Sequence, residues 1–372
     1  MDKKWQIIDL VRTFSILSVM AAHGTSFLRP FGNPHVEWAV KCFERNGSYG
    51  VLIFFVVSGF LITGVIAQAP GGLFKPEFRK FYVRRAGRIL PLLALLVSIV
   101  SLSLWILPNG SKRVQFCLGF KTNLDDYWFW LSVVTFTFNW LIILKKTGLV
   151  YGLFWNILWS LSIEEQFYLF FPATLKKLGK RMNLFLFLIT LILFSFFVRL
   201  GAYLYGSENA SLELISYFGV LDLIALGILL YLGYQRWHSR LSENRKASFL
   251  TCVLGFALVL AVYFFTSAQS DFDRVYSCFG LGLGLSGFLL GGMFLPFFDS
   301  KYLKPFSLPG KYCYGMYLLH PIVLFFCGSV LTRMNAFEAF TLFTVSTAGL
   351  AALSYHLFEM PVNFLIRRKW KG

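Results

Sequence analysis

Apolar residues in this chain run in long unbroken stretches, with no amphipathic alternation. Eleven stretches lie near residues 7–28, 49–68, 89–108, 128–144, 153–175, 183–204, 212–234, 247–265, 276–298, 311–331 and 337–358. About 20 apolar residues cross a ~30 Å hydrocarbon core as an α-helix, which satisfies its own backbone polar groups. The pattern therefore predicts an all-α, polytopic transmembrane helix bundle. Basic clusters separate the stretches and favour the cytoplasmic side. They comprise Lys3 and Lys4; Lys75, Arg79, Lys80, Arg84, Arg85 and Arg88; Lys176, Lys177, Lys180 and Arg181; Arg236, Arg240, Arg245 and Lys246; Lys301, Lys304 and Lys311; and Arg367, Arg368, Lys369 and Lys371. Eleven crossings would leave the last cluster outside. Ten crossings place every cluster inside, and Asp125, Asp126, Glu208, Asp271, Asp273 and Glu338 outside, if 128–144 does not cross. The expectation is about ten spans, one re-entrant or peripheral apolar segment, and cytoplasmic N- and C-termini. Lys145 and Lys146 are the residues this topology misplaces.

Composition agrees with the pattern. Hydrophobic residues make up 57% of the 372, and charged residues only 14%, against about 25% in a soluble domain. The net charge of +17 sits in short clusters between apolar stretches rather than in one stripe. That distribution fits anionic membrane lipid as the partner and not nucleic acid. Lys3 and Lys4 ahead of an apolar run imitate a signal peptide, but Asp9 and Arg12 interrupt it and Ala21-Ala22-His23 is a poor cleavage site, so the segment is expected to be retained. The chain reads as one integral-membrane domain over residues 1–372, with no appended soluble domain. Six cysteines show no metal-binding spacing, so no metal is expected. Cys42 and Cys117 both fall in predicted outer loops, where a disulfide between them is open. Gly280, Gly284, Gly287 and Gly291 recur at three and four in one span, the spacing of close helix packing.

Ionisable residues within such stretches are costly and mark function by default. The first stretch holds Asp9, Arg12 and His23. Eleven residues separate Arg12 from His23, which returns them nearly to one helix face about 16 Å apart. His23 is a candidate general base towards a hydroxyl, or a polar contact between helices. Asp9, one turn before Arg12, is a candidate partner for it. Arg84, Arg85 and Arg88 precede the third stretch and suit phosphates, or lipid headgroups, because a guanidinium can bind two oxygens at once. Ser160, Glu164 and Tyr168 share a face of the fifth stretch. Glu164 and Glu165 need partners to be ionised there, Arg12 or another buried base. Ser160 reads as a structural hydrogen-bonding group. Pro321 after His320 frees a carbonyl and kinks its helix.

Six motifs in order resemble the membrane-bound acyltransferase family 3. They are Arg12 followed by His23; Gly50 through Phe60; Arg84, Arg85 and Arg88; Trp159 through Tyr168; Tyr317 through Pro321; and Glu359-Met360-Pro361. The resemblance implies an enzyme, an acyl-CoA-dependent O-acyltransferase. It would move an acyl group, most often acetyl from acetyl-CoA, onto a hydroxyl of a cell-envelope carbohydrate. It implies a bacterial inner (cytoplasmic) membrane. His23, Arg12 and Glu164, favoured over Glu165, would be the catalytic residues. Arg84, Arg85 and Arg88 would bind the donor. Direct attack by the acceptor and an acyl-His23 intermediate both remain open. Buried charges and broken helices also describe a membrane transporter of an organic anion, but no inverted repeat is visible and the basic cluster is confined to one side.

Overall fold

The structure is a computed structural model that describes residues 5–24, 34–107, 111–145, 151–205 and 217–369. Lys3, Lys4, Leu28, Lys146, Glu208, Lys371 and the first residues of the 212–234 stretch lie outside the described residues. The described residues form no strand. The helices are α1 (Gln6–Gly24), α2 (Pro34–Ala67), α3 (Phe78–Ile106), α4 (Lys112–Cys117), α5 (Tyr127–Val134), α6 (Phe138–Lys145), α7 (Leu153–Asn156) and α8 (Leu158–Leu178). There follow α9 (Arg181–Leu204), α10 (Leu221–Glu243), α11 (Arg245–Phe265), α12 (Asp271–Gly292), α13 (Lys304–Lys311), α14 (Cys313–Leu331), α15 (Ala336–Ser354) and α16 (Met360–Lys369).

Nine of the described helical stretches are long and apolar enough to cross a membrane: α1, α2, α3, α9, α10, α11, α12, α14, and α15 running into α16. The charge pattern predicted about ten. Helix α8 has the length for a further crossing, 21 residues or roughly 31 Å, but Glu164 and Glu165 take it out of the purely apolar class. The chain is thus an all-α polytopic integral membrane protein.

The 128–144 stretch forms no spanning helix. Its two eight-residue helices, α5 and α6, are each about 12 Å long, and Phe136 at the break adopts φ 55°. This break is held from α8. Phe138 N–H donates to Ser162 Oγ at 3.2 Å, and Gln166 Nε2 donates to Phe136 O at 2.7 Å and to Asn139 Oδ1 at 2.8 Å. Lys145 donates to Asp126 across the α5–α6 pair, which explains why a basic residue closes this segment.

Contacts divide the described chain into two compact units. One contains α1, α2 and α9–α13; the other contains α3–α8 up to Pro172 and α14–α16.

In the first unit α2 and α10 are central. Their spanning windows are 72% buried, against 28% for α9 and 33% for α11. Backbones touch where glycine allows it. A Cβ on Gly227 would lie 2.0 Å from the Val56 carbonyl oxygen of α2, and one on Gly255 only 2.2 Å from the Phe288 amide nitrogen of α12. The α12 glycines pack in this way against α11, as their spacing predicts: a Cβ on Gly291 would meet Ser248 O at 2.3 Å. One charge pair is fully buried here. Arg199 of α9 donates to Asp222 of α10 through Nη1 (3.0 Å) and Nη2 (2.6 Å), and also to Gly219 O. Asp222 is 0% exposed and Arg199 3%, so each charge depends on the other for its solvation.

In the second unit α14 packs on α15, and α3 packs on α16. A five-residue π-helical turn, Tyr355–Glu359, joins α15 to α16. All six cysteines are free thiols, Cys42 and Cys117 among them. Burial pushes the Cys117 thiol up to about 12.

Candidate active site

The first unit carries Arg12 and His23 on the single unbroken helix α1. Arg12 Nη1 donates to Asp9 Oδ1 at 3.0 Å, and both side chains are mostly buried, at 13% and 16% exposed. The partner expected one turn earlier is therefore in place. That end of α1 is fixed from α13. Thr13 Oγ1 donates to Asp9 O at 2.9 Å and accepts from the Gly310 amide at 2.8 Å. Gly310 sits so close that a Cβ there would lie 1.9 Å from Asp9 O. Sequence reasoning missed this contact, because a glycine between Pro309 and Lys311 reads as a turn. Further along α1, Ser18 Oγ shares a 2.6 Å hydrogen bond with Tyr263 OH of α11. Gly50, from the second motif, packs on Ser15 O. His23 lies half-buried at the end of α1.

The second unit gathers the other motifs. Arg85 of α3 turns inward and grips Glu165 of α8, donating from Nε at 3.0 and 3.1 Å and from Nη2 at 2.5 Å. Glu164 Oε2 stands 3.9 Å from the same Nη2. The Arg85 guanidinium lies over the Tyr168 ring, 3.3 Å from its centroid, an attractive arrangement for a cation. The resemblance favoured Glu164 as the catalytic carboxylate, and the sequence asked only for a buried base beside the pair; Arg85 is that base, with Glu165 its direct partner and Glu164 its neighbour. Arg84 and Arg88, one turn apart on α3, are exposed. The three arginines thus differ: Arg85 is gripped by Glu165, while Arg84 and Arg88 are exposed and Arg88 lies within electrostatic reach of Glu359.

Helix α14 adds three side chains on one face. Tyr314 donates to Ile89 O at 2.7 Å, and its hydroxyl feels the charges of Glu165, Glu359, Arg88 and Arg85. Glu359 accepts from Ser354 at 3.1 Å across the π turn. Tyr317 OH shares a 2.8 Å bond with Ser160 Oγ, and both reach the Ile157 carbonyl where α7 passes into α8. This supports the structural reading of Ser160. His320 is fully buried, with Nδ1 2.7 Å from Tyr317 O. Asn156, at 7% exposure, has neither amide atom hydrogen-bonded among the described residues.

The Trp159–Tyr168 motif acquires a physical reading from this arrangement. Ser162 and Gln166 share one face and hold the broken segment. Ser160, Glu164 and Tyr168 share another and turn to Tyr317 and Arg85. Two jobs on two faces of one helix explain why so many polar residues occur in a membrane-length stretch. Among the described residues, no group of three or more His, Cys, Asp or Glu is arranged to hold a metal ion.

A family profile described as an acyltransferase domain matches residues 5–356. The chain belongs to the acyltransferase 3 family. Its relatives include the putative peptidoglycan O-acetyltransferase YrhL of Bacillus subtilis, 29% identical over 96% of this chain and 54% of the relative. The O-acetyltransferase OatA of Staphylococcus aureus is 24% identical over 96% and 57% respectively, and the peptidoglycan O-acetyltransferase OatA of Listeria monocytogenes 28% over 96% and 55%. The chain spans about half the length of the curated relatives it matches. No solved structure matches it.

Proposed function

We propose that this protein is a membrane-bound O-acyltransferase of a bacterial cytoplasmic membrane, moving an acetyl group from acetyl-CoA to a hydroxyl of a cell-wall carbohydrate. The family match supports acyl transfer, and the names of the relatives support a peptidoglycan-type acceptor. The observation that carries the reading is the set of ionised groups kept inside apolar helices by dedicated partners, Arg12 with Asp9 and Arg85 with Glu165. Such groups are costly in a bilayer and are retained for chemistry or transport.

Arg84 and Arg88, exposed on α3, are the residues for the donor phosphates, each guanidinium pairing with two oxygens. Arg85 contributes by holding Glu165 and Glu164. Arg12 sets the charge along α1, and Glu164 that along α8. His23 serves as the proton acceptor for the hydroxyl that attacks the thioester carbonyl, or as the nucleophile that carries the acyl group. In either route the thiolate leaves and takes the proton, and an ester forms. The sidedness of the basic clusters supports cytoplasmic termini, on the side of the donor.

The test is thiol release from acetyl-CoA by the purified protein in nanodiscs. Release that depends on a carbohydrate acceptor, is lost in His23→Ala and shows a raised donor KM in Arg88→Ala supports the assignment. Full activity in a correctly inserted His23→Ala variant removes His23 from the chemistry. Neither turnover nor donor binding moves the weight to an organic-anion carrier.

A further inference from the structure

The chain from Pro296 to Lys311 leaves α12 through two short 3-10 turns, Pro296–Asp299 and Lys301–Leu303, and ends in α13. In α13, Ser307 and Gly310 are buried, three residues apart on one face. At about 100° per residue the opposite face carries Pro305, Leu308 and Pro309, with Lys304 and Lys311 along one flank and Phe306 along the other. A helix on a water-facing surface turns its apolar side inward. Helix α13 does the reverse, with its small residues inward and its apolar ones outward. Phe306 is 66% exposed, and ahead of it Phe297 and Tyr302 are 66% and 74% exposed. Lys301, Lys304 and Lys311 are exposed among them, against one acid, Asp299.

Rings and leucine interleaved with lysine suit the boundary of a bilayer. The apolar groups enter the acyl region while the ammonium groups meet lipid phosphates. A soluble phosphate would use the lysines and leave the apolar groups in water. The segment begins four residues after the end of α12, a helix able to cross a membrane. It therefore lies at the bilayer surface, and its three lysines form one of the basic clusters that favour the cytoplasmic side. Its inner side is tied to α1. Gln6 Nε2 donates to Ser300 O at 3.0 Å, and the Gly310 amide donates to Thr13 Oγ1 at 2.8 Å. These bonds bracket Asp9 and Arg12 in the sequence. We propose that residues 296–311 form a docking surface for anionic phospholipid headgroups of the cytoplasmic leaflet, and that lipid seated there steadies the first two turns of α1. Membrane charge then bears on the helix that carries Arg12 and His23, whatever reaction the protein performs.

Native mass spectrometry of the full chain in neutral detergent, titrated with phosphatidylglycerol or phosphatidylcholine, tests the surface. The wild type is expected to bind phosphatidylglycerol the more tightly. Lys301→Gln, Lys304→Gln and Lys311→Gln are each expected to weaken that binding about fivefold, and the triple variant to lose the preference. Arginine at the same three positions is expected to retain it. Arg245→Gln with Lys246→Gln, exposed residues of another basic cluster, is expected to leave the tightest site unchanged. A triple glutamine variant that binds phosphatidylglycerol as tightly as the wild type overturns the proposal. So does one that keeps the lipid but loses acetyl-CoA, which would assign the lysines to a soluble phosphate donor. Hydrogen exchange in nanodiscs tests the link to α1. Peptides covering residues 6–13 are expected to exchange more slowly in phosphatidylglycerol than in phosphatidylcholine for the wild type, and equally in both for the triple glutamine variant. Equal exchange in the two lipids for the wild type refutes the hold on α1. Neither readout requires turnover, so failure of the transferase reading and failure of this inference are separate results.

Discussion

Replacing Glu165 by Gln tests whether Arg85 is held by this carboxylate. Three donor–acceptor contacts, at 3.0, 3.1 and 2.5 Å, join the two side chains, and each is only 16% exposed. Removing one partner of a fully buried pair costs about 3–5 kcal/mol, because the other charge is left unsolvated. Two features reduce that figure here. Glu164 remains 3.9 Å from Arg85 Nη2, and the residual exposure admits some screening. The expected loss in Glu165→Gln is therefore about 2–3 kcal/mol. Arg85→Met loses a similar amount and also the stacking on Tyr168. The double variant is expected to lose less than the sum by about 1–3 kcal/mol, since each single change removes the same contact. Reversible unfolding in mixed micelles by titration with SDS measures all four corners of the cycle. Additivity to within about 0.5 kcal/mol would refute the pairing. Arg85→Lys sharpens the result: it keeps the charge and loses the fork, so it is expected to recover only part of the stability.

Other consequences are open to direct measurement. Gly310→Ala puts a Cβ 1.9 Å from Asp9 O, so α13 or α1 must move; a loss of about 1–3 kcal/mol is expected, with a larger fall in turnover than in donor binding, and wild-type values for both would show that the contact is dispensable. The Cys117 thiol, buried and pushed up to about 12, is expected to resist iodoacetamide at pH 8 in the folded protein and to react after denaturation, as followed by mass spectrometry. The hydrogen bond from Lys145 holds the Asp126 carboxyl below the usual aspartate range. Its contribution is therefore complete above the unfolded value of about 3.9 and is lost as pH falls through the lowered one. Hydrogen-exchange protection of Tyr127–Val134 should thus hold from pH 7 to 5 and drop only in stronger acid, and Asp126→Asn should abolish that dependence.

The sequence by itself determined the class of molecule and where most of its long apolar helices lie, because lipid imposes a length and an apolarity that are readable one residue at a time. The sidedness of the basic clusters also singled out the 128–144 stretch as the one whose crossing would put the last cluster outside, and the two short helices of that stretch decided the matter. The Asp9–Arg12 pair was legible for a similar reason, being a contact within one turn of one helix. The glycines of α12 were legible as packing positions, though their partners on α11 were not. What only the tertiary structure decided are pairings between distant segments. Arg85 and Glu165 are 80 residues apart, Ser160 and Tyr317 are 157 apart, and Thr13 and Gly310 are 297 apart. The choice of Glu165 over Glu164 as the direct partner rests on a 100° rotation about α8, which only the packing of α3 against that helix can select. The sequence likewise displayed Pro321 and His320 side by side, but not that the freed carbonyl would be met by the imidazole. That depends on a side-chain rotamer, and rotamers are set by what surrounds them.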